Sequence, residues 1–282
     1  MPPKTIHLIR HAQGYHNLTT ANHALPDPLL TPFGESQCRT LSTHFPFPAP
    51  SSPTTTPSLL LAASPLKRTL STALLVFSPL LASHPTLRIL ALPEAQETSD
   101  LPCDTGSTHA ELLQEFANQP VDLSLVAAAG DSWNRKVGKW SPHAEAVAQR
   151  AREVREWVWD RGEEVVALVT HGGFLHYLTE DWSGANKFQG TGWANTEFRT
   201  FTFASESPSP SYSIVESSAS RRRRSGSEKP LTEAEQRNLK RSAEVQSEKN
   251  KKDSKKDDTK KGLFAFSKLR ASASARDFVG GY

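Results

Sequence analysis

Cysteine is scarce in this chain, and no apolar stretch is long enough to cross a membrane. The 282 residues include two cysteines, Cys38 and Cys103, which form neither a disulfide framework nor a Cys-x-x-Cys pattern. This usage fits a reducing compartment and indicates no metal site. The N-terminal apolar run is short and includes the polar residues His7 and Arg10, so it does not resemble a signal peptide. A membrane span needs roughly 20 apolar residues. We therefore expect a soluble, cytoplasmic protein.

The charge is distributed unevenly. Residues 1–220 carry 15 basic and 21 acidic side chains, whereas residues 221–282 carry 18 basic and 9 acidic ones, so the overall +3 hides a basic tail. Residues 221–224 are four arginines, which suit a nuclear-import receptor and make a nuclear location the alternative. The tail has almost no aromatic residue before Phe264, which weakens a nucleic-acid-binding interpretation. Its expected partners are acidic surfaces or an import receptor.

Strand-like and helix-like segments alternate up to residue 204. The predicted strands are Thr5–Ile9, Leu59–Ala63, Leu87–Leu92, a run centred on Leu168, and Glu197–Ala204, the last at or near a sheet edge. The predicted helices are Phe33–Phe45, Leu66–Leu81, Thr108–Asn118 and one from Ser141 to about Arg161. This alternation predicts an α/β fold, a three-layer α/β/α sandwich with a mostly parallel sheet. We expect one domain at residues 1–204 and a disordered, basic, low-complexity tail at residues 205–282.

The first strand delivers an arginine and a histidine side by side into a turn of small residues. Residues 8–17 read LIRHAQGYHN. Arg10 can hold two phosphate oxygens in a bidentate fork, and His11 can attack phosphorus as a nucleophile near neutral pH. Taken alone, the pair also fits a surface arginine beside a half-buried histidine.

Two further strand ends carry similar chemistry. A strand ends at His171 and Gly172, where the next helix begins and its backbone N–H groups favour an anion. Arg68 opens the helix after the Leu59–Ala63 strand, where a cation opposes the helix dipole unless an anion is near. Since ligands bind beyond the carboxyl ends of strands in such sheets, we expect Arg10, His11, Arg68 and His171 to line one anion pocket.

Together these residues resemble the histidine phosphatase superfamily, in its phosphoglycerate-mutase-like group. The resemblance covers roughly residues 4–204 and rests on the order of Arg10-His11, the Ser64–Thr69 helix start, a carboxylate near Glu97 and Thr170-His171-Gly172. It implies the phosphoglycerate-mutase-like sandwich and a phosphoric monoester hydrolase of the histidine acid phosphatase kind. It also implies a small phosphorylated substrate and no metal or cofactor. Ala12 stands where the family usually has glycine, which matters only if the backbone φ is positive.

The resemblance also implies a role for each residue of the site. His11 would be transiently phosphorylated, while Arg10, Arg68 and His171 would surround the phosphoryl oxygens. Asn17 and Gly172 would bind substrate, although Asn17 is nearly as well explained as a turn residue. His16, beside it, is assigned to the loop.

The leaving alkoxide needs a proton, which a carboxylic acid at the pocket mouth can supply. Gln96-Glu97 resembles the Gln-Glu ending of relatives, so Glu97 is the preferred donor and Glu94 its rival. The turn-rich residues 100–106 are expected to form the substrate-selecting rim. Trp133, Lys136, Lys139 and Trp140 either contact a substrate tail or form a loop packed on the sheet edge with solvated lysines.

Three functions remain open at this point. The family's mutases usually carry a Glu-Arg-His-Tyr-Gly-type segment between the second and third motifs, and the matching interval here contains only residues 97–102, ETSDLP. Its absence favours a phosphatase that hydrolyses a phosphomonoester over mutase-type phosphotransfer. A non-catalytic scaffold acting through its basic tail is the third possibility, although none of the four core residues is missing.

Overall fold

The computed structural model describes residues 1–47, 58–183, 192–204, 212–224 and 236–244. Within them one seven-stranded sheet has the order β4-β3-β2-β5-β1-β6-β7. The strands are β1 Thr5–Arg10, β2 Leu59–Ala63, β3 Ile89–Ala91, β4 Val121–Asp122, β5 Val165–Thr170, β6 Phe198–Phe203 and β7 Ile214–Glu216. The first five are mutually parallel, whereas β6 and β7 are antiparallel to their neighbours. The predicted α/β sandwich with a mostly parallel sheet is confirmed.

Eight α-helices accompany the strands in the described part of the first compact unit, Met1–Thr232. They are α1 Pro32–His44, α2 Lys67–Val76, α3 Ser78–Ser83, α4 His109–Glu115, α5 Ser124–Ala129, α6 Ala144–Trp159, α7 Gly172–Thr179 and α8 Ser218–Arg223. The predicted helix Leu66–Leu81 is two helices, because the backbone leaves helical geometry at Phe77. Thr108 makes the capping box with Glu111 that the sequence predicts.

The sheet separates two hydrophobic clusters, as a three-layer sandwich requires. Alternate residues of β5 point to opposite faces: Ala167 and Val169 join the cluster that contains α1 and α2 residues, while Val166 and Leu168 join the cluster that contains α6 and α7 residues. Near-continuous apolar sequence in β1, β2 and β5 follows from this burial on both faces.

The domain extends beyond the boundary at residue 204 predicted from the sequence. β7 pairs with β6 and takes the sheet edge, so β6 lies next to the edge, within the prediction of a strand at or near it. After β7, α8 brings Arg224 onto the buried carboxylate of Glu216 (2.7 Å) and the guanidinium of Arg223 over the ring of Phe198 (4.0 Å). Two of the four arginines, Arg223 and Arg224, thus have buried partners in the domain. This part of the chain therefore belongs to the fold and not to a solvated tail.

Removing β7 and α8 is therefore expected to destabilise the domain. A chain ending at residue 224 should have the same melting temperature as the full-length protein, whereas that of a chain ending at residue 204 should be several degrees lower. Burial of Ile214 alone contributes about 1.5–3 kcal/mol, and each kcal/mol corresponds to about 2–4 °C for a domain of this size. Thermal unfolding by circular dichroism measures the difference, and equal melting of the two truncations would contradict it.

Residues 236–244 form a short helix in the second compact unit, Glu233–Tyr282. Most of the predicted disordered tail, and residues 48–57 of the Pro/Ser/Thr-rich loop, lie outside the described residues. No helix in the described residues is both long and apolar enough to cross a membrane.

Candidate active site

The carboxyl ends of the central strands bring together the residues that the sequence places in one pocket. β1 ends at Arg10, β5 ends at Thr170 directly before His171, and β2 leads through Ser64 to α2, which carries Arg68 in its first turn. The ring centroids of His11 and His171 lie 5.2 Å apart. Residues separated by 160 positions in sequence are thus brought into contact by parallel pairing of adjacent strands.

The hydrogen bonds of His11 identify its protonation state. Its Nδ1 lies 2.7 Å from the carbonyl oxygen of Ala12, which can only accept, so Nδ1 carries the proton. Burial, with the charges of Arg68 and Arg10, lowers the pKa of His11 well below its usual value. The ring is therefore neutral, and Nε2 presents a lone pair, the state needed for nucleophilic attack.

Arg68 connects the two histidines. Its Nε donates to Nε2 of His11 (3.4 Å) and its Nη2 to Nδ1 of His171 (3.1 Å). Since Nδ1 of His171 accepts, its Nε2 carries the proton and donates to Oγ of Ser64 (2.8 Å). Burial and the charge of Arg68 lower the pKa of His171 in the same way.

The anion that balances Arg68 belongs to the protein. Oδ1 of Asp104 accepts from Nη2 of Arg68 at 2.9 Å, and Nη1 donates to the carbonyl of Cys103. Asp27 caps the start of the same helix by accepting from the backbone N–H of Lys67 (3.0 Å). The nearby anion that a cation at this helix start predicts is supplied by these two carboxylates.

Asp104, expected only in the substrate-selecting rim, and His16, assigned to the loop, both contact predicted site residues. The loop-assigned ring of His16 is buried, with its centroid 5.3 Å from that of His11. Burial, followed by the charge of Arg68, lowers the pKa of His16 to about 3. The proximity of His16 to His11 comes from the short 3₁₀ turn Tyr15–Asn17, for which the sequence pattern contains no helical or strand period.

Arg10 and His16 leave polar atoms without a partner. Nε of Arg10 and Nδ1 of His16 are buried and make no hydrogen bond to any described residue. Nη1 of Arg10 donates to the carbonyl of Trp193. A buried donor without an acceptor costs about 1–3 kcal/mol, so a ligand that accepts from Arg10 would recover that energy.

Glu97 lies at the N-terminus of α7. Its carboxylate accepts from the backbone N–H groups of Thr98 (2.9 Å), Phe174 (3.1 Å) and Gly173 (3.3 Å). A Cβ at Gly173 would lie 2.6 Å from Oε1 of Glu97, so only glycine allows this approach. Burial, followed by the charge of Asp104, raises the pKa of Glu97, which favours the protonated form that a proton donor requires.

The rival carboxylate, Glu94, lies elsewhere. Its Oε1 pairs with Nζ of Lys139 on the surface (2.8 Å).

The two predicted substrate-binding residues lie in different surroundings. Gly172 is the first residue of α7, directly after His171. Asn17 is exposed, and its Oδ1 accepts from the N–H of Gly14 (3.0 Å), which is the turn role left open above.

The loop before α6 separates residues that the sequence grouped. Trp133 and Trp140 join the hydrophobic core, and Lys139 lies on the surface. Of these four residues, Lys136 is the one buried beside the site, where its Nζ donates to the carbonyl of Glu97 (3.0 Å).

Ala12 does not adopt a positive φ, so alanine is tolerated there. In the described residues, no group of three or more His, Cys, Asp or Glu side chains is arranged to hold a metal ion.

The chain is similar to a known protein family. The family model for the histidine phosphatase superfamily (branch 1) matches residues 6–212. A phosphoglycerate mutase-like protein from Arabidopsis thaliana is 31% identical over 62% of this chain and 73% of its own length. Phosphoglycerate mutase-like protein 1 from the same plant is 30% identical over 62% of this chain and 70% of its own length. Among solved structures, the α-ribazole phosphatase of Shigella flexneri is 19% identical over 76% of this chain and 94% of its own, with a TM-score of 0.43.

Proposed function

This chain belongs to the histidine phosphatase superfamily, and on that premise we propose that it hydrolyses a phosphomonoester through a phosphohistidine on His11. The observation that carries the proposal is the contact of His11 Nδ1 with the carbonyl oxygen of Ala12 (2.7 Å), which sets the tautomer of the ring. With Nδ1 bound to the carbonyl of Ala12, the unprotonated Nε2 lies beside Arg68 in a pocket that also contains His171. A scaffold without catalysis would have no need for a buried, neutral nucleophile held between an arginine and a second histidine.

In the first step, Nε2 of His11 attacks phosphorus and the bond from phosphorus to the ester oxygen breaks. Glu97 gives its proton to the leaving oxygen and becomes a carboxylate. Arg10, Arg68, His171 and the backbone N–H of Gly172 stabilise the charge on the three phosphoryl oxygens. The Ala12 carbonyl stabilises the Nδ1–H of the phosphorylated imidazole.

In the second step, water attacks the phosphohistidine and the P–N bond breaks. Glu97 takes a proton from that water, so inorganic phosphate leaves and both His11 and Glu97 return to their starting states. Every proton is accounted for by Glu97 and the substrate, and the positive charge comes from arginine, so the scheme uses no metal.

The proposal is tested by phosphate release from phenyl phosphate and p-nitrophenyl phosphate with EDTA present, between about pH 5 and 8. Release unaffected by EDTA supports the scheme, and release that needs an added divalent cation contradicts it. Conversion of 3-phosphoglycerate to 2-phosphoglycerate by the purified protein would instead support the mutase alternative.

Replacing Glu97 with glutamine is expected to separate the two substrates. Glutamine cannot give a proton, so kcat/KM for phenyl phosphate should fall by about 10²–10⁴-fold, while p-nitrophenyl phosphate, whose leaving group departs without a proton, should lose far less. Wild-type kcat/KM for phenyl phosphate should fall as pH rises through the raised pKa of Glu97, and this limb should vanish in the variant. Glu94→Gln is the control, and equal losses on both substrates for Glu97→Gln would exclude Glu97 as proton donor.

A further inference from the structure

The segment that carries Glu97 is held at four consecutive backbone carbonyls by three buried side chains. Arg150 of α6 donates from Nη1 to the carbonyls of Glu94 (2.7 Å) and Gln96 (2.9 Å). The hydroxyl of Thr170 donates to the carbonyl of Ala95 (2.7 Å), and Nζ of Lys136 donates to that of Glu97 (3.0 Å). Buried carbonyls need donors in any fold, and here the series of four ends at the residue proposed to move the proton.

Lys136 is the unusual member of this set. It is 8% exposed, and its backbone adopts a φ of +56°, a left-handed conformation that is unfavourable for a residue with a side chain. A buried ammonium also loses its hydration. Burial lowers the pKa of Lys136 to about 7, with the charge of Arg150 acting in the same direction and those of Asp104 and Glu97 opposing it. The fold sustains both costs at the wall of the site.

We propose that Lys136 is a positioning residue for Glu97, which holds the backbone of the proton donor so that its carboxyl group meets the leaving oxygen. The carboxyl is bound on its other side by the N–H groups of Gly173 and Phe174. Lys136 and α7 therefore fix the backbone and the side chain of Glu97 from opposite ends. The inference rests on the proposed role of Glu97 in phosphoester hydrolysis.

Lys139 provides a matched control three residues away. Its Nζ pairs with Glu94 (2.8 Å) and Glu153 (2.9 Å), and its side chain is 42% exposed. Both lysines belong to the loop before α6, and both contact the segment that leads to Glu97, but only Lys136 is bound to Glu97 itself. Surface ion pairs contribute little to stability, so Lys139→Met should leave turnover unchanged.

The test compares the full-length Lys136→Met and Lys139→Met variants on the two aryl phosphates. Because a displacement of about 1 Å can cost roughly 10²-fold, Lys136→Met should lower kcat/KM for phenyl phosphate by about 10–100-fold. It should change kcat/KM for p-nitrophenyl phosphate much less, since that leaving group needs no proton. Lys136→Gln keeps an N–H donor, so its kcat/KM for phenyl phosphate should lie between those of the wild type and Lys136→Met. It replaces the Met variant if that variant does not fold.

The outcomes separate this inference from the function on which it rests. If kcat/KM falls equally for both substrates in each folded Lys136 variant, or falls for neither, Lys136 does not position the proton donor. If Glu97→Gln is selective for phenyl phosphate while the Lys136 variants are not, the inference fails and the phosphatase mechanism stands. If the wild-type protein releases no phosphate from either ester, the proposed function itself fails.

Discussion

Replacing His11 with alanine is expected to reduce phosphate release to background. Without Nε2 there is no nucleophile to form the phosphoenzyme, and removal of a covalent nucleophile costs on the order of 10⁶-fold in kcat. The neighbouring His171 should not substitute, because its Nε2 carries the proton that it donates to Ser64 and its Nδ1 accepts from Arg68. Phosphate release from p-nitrophenyl phosphate measures the loss.

A direct assay of the intermediate makes this prediction sharper. Radiolabelled substrate should label the wild-type protein through a bond that survives alkali and is cleaved by acid, as a phosphorus–nitrogen bond is, and His11→Ala should remain unlabelled. His44→Ala, at the exposed end of α1, is the matched control and should retain wild-type turnover and labelling. Normal turnover in a folded His11→Ala protein would refute the phosphohistidine route.

Replacing Arg68 with methionine should impair both activity and stability. Methionine removes the hydrogen bonds to His11, His171 and Asp104 and leaves the Asp104 carboxylate without its cation. Loss of one partner of a buried ion pair costs about 3–5 kcal/mol in unfolding free energy. Loss of a preorganised donor to the transition state costs about 10²–10³-fold in kcat.

A double substitution separates these two effects. In Arg68→Met with Asp104→Asn, the uncompensated buried charge is gone, so stability in urea denaturation should recover in part while kcat stays low. Lys67→Met is the neighbouring control, because Lys67 is partly exposed and pairs with Glu115 at 3.2 Å. Recovery of activity together with stability in the double variant would indicate that Arg68 only supports the fold.

The parts of the fold that could be predicted from the sequence are those with a local cause. Apolar runs locate β1, β2 and β5, and the predicted helix Phe33–Phe45 is present as α1. β4 has two residues, Val121 and Asp122, and is too short for any periodicity to be detected. β7 lies in a Ser/Pro-rich region that reads as linker, and only its pairing with β6 makes it a strand.

The site shows the same division. The order of residues places an arginine and two histidines at strand ends, and a parallel α/β arrangement brings such ends to one edge of the sheet. The neighbours that complete the site become visible only in the folded chain: Asp104 pairs with Arg68, His16 lies against His11, and Lys136 rather than Lys139 is bound to Glu97. Strand and helix periods arise from backbone geometry within a few residues, whereas these contacts join loops that are distant in sequence and depend on how those loops pack.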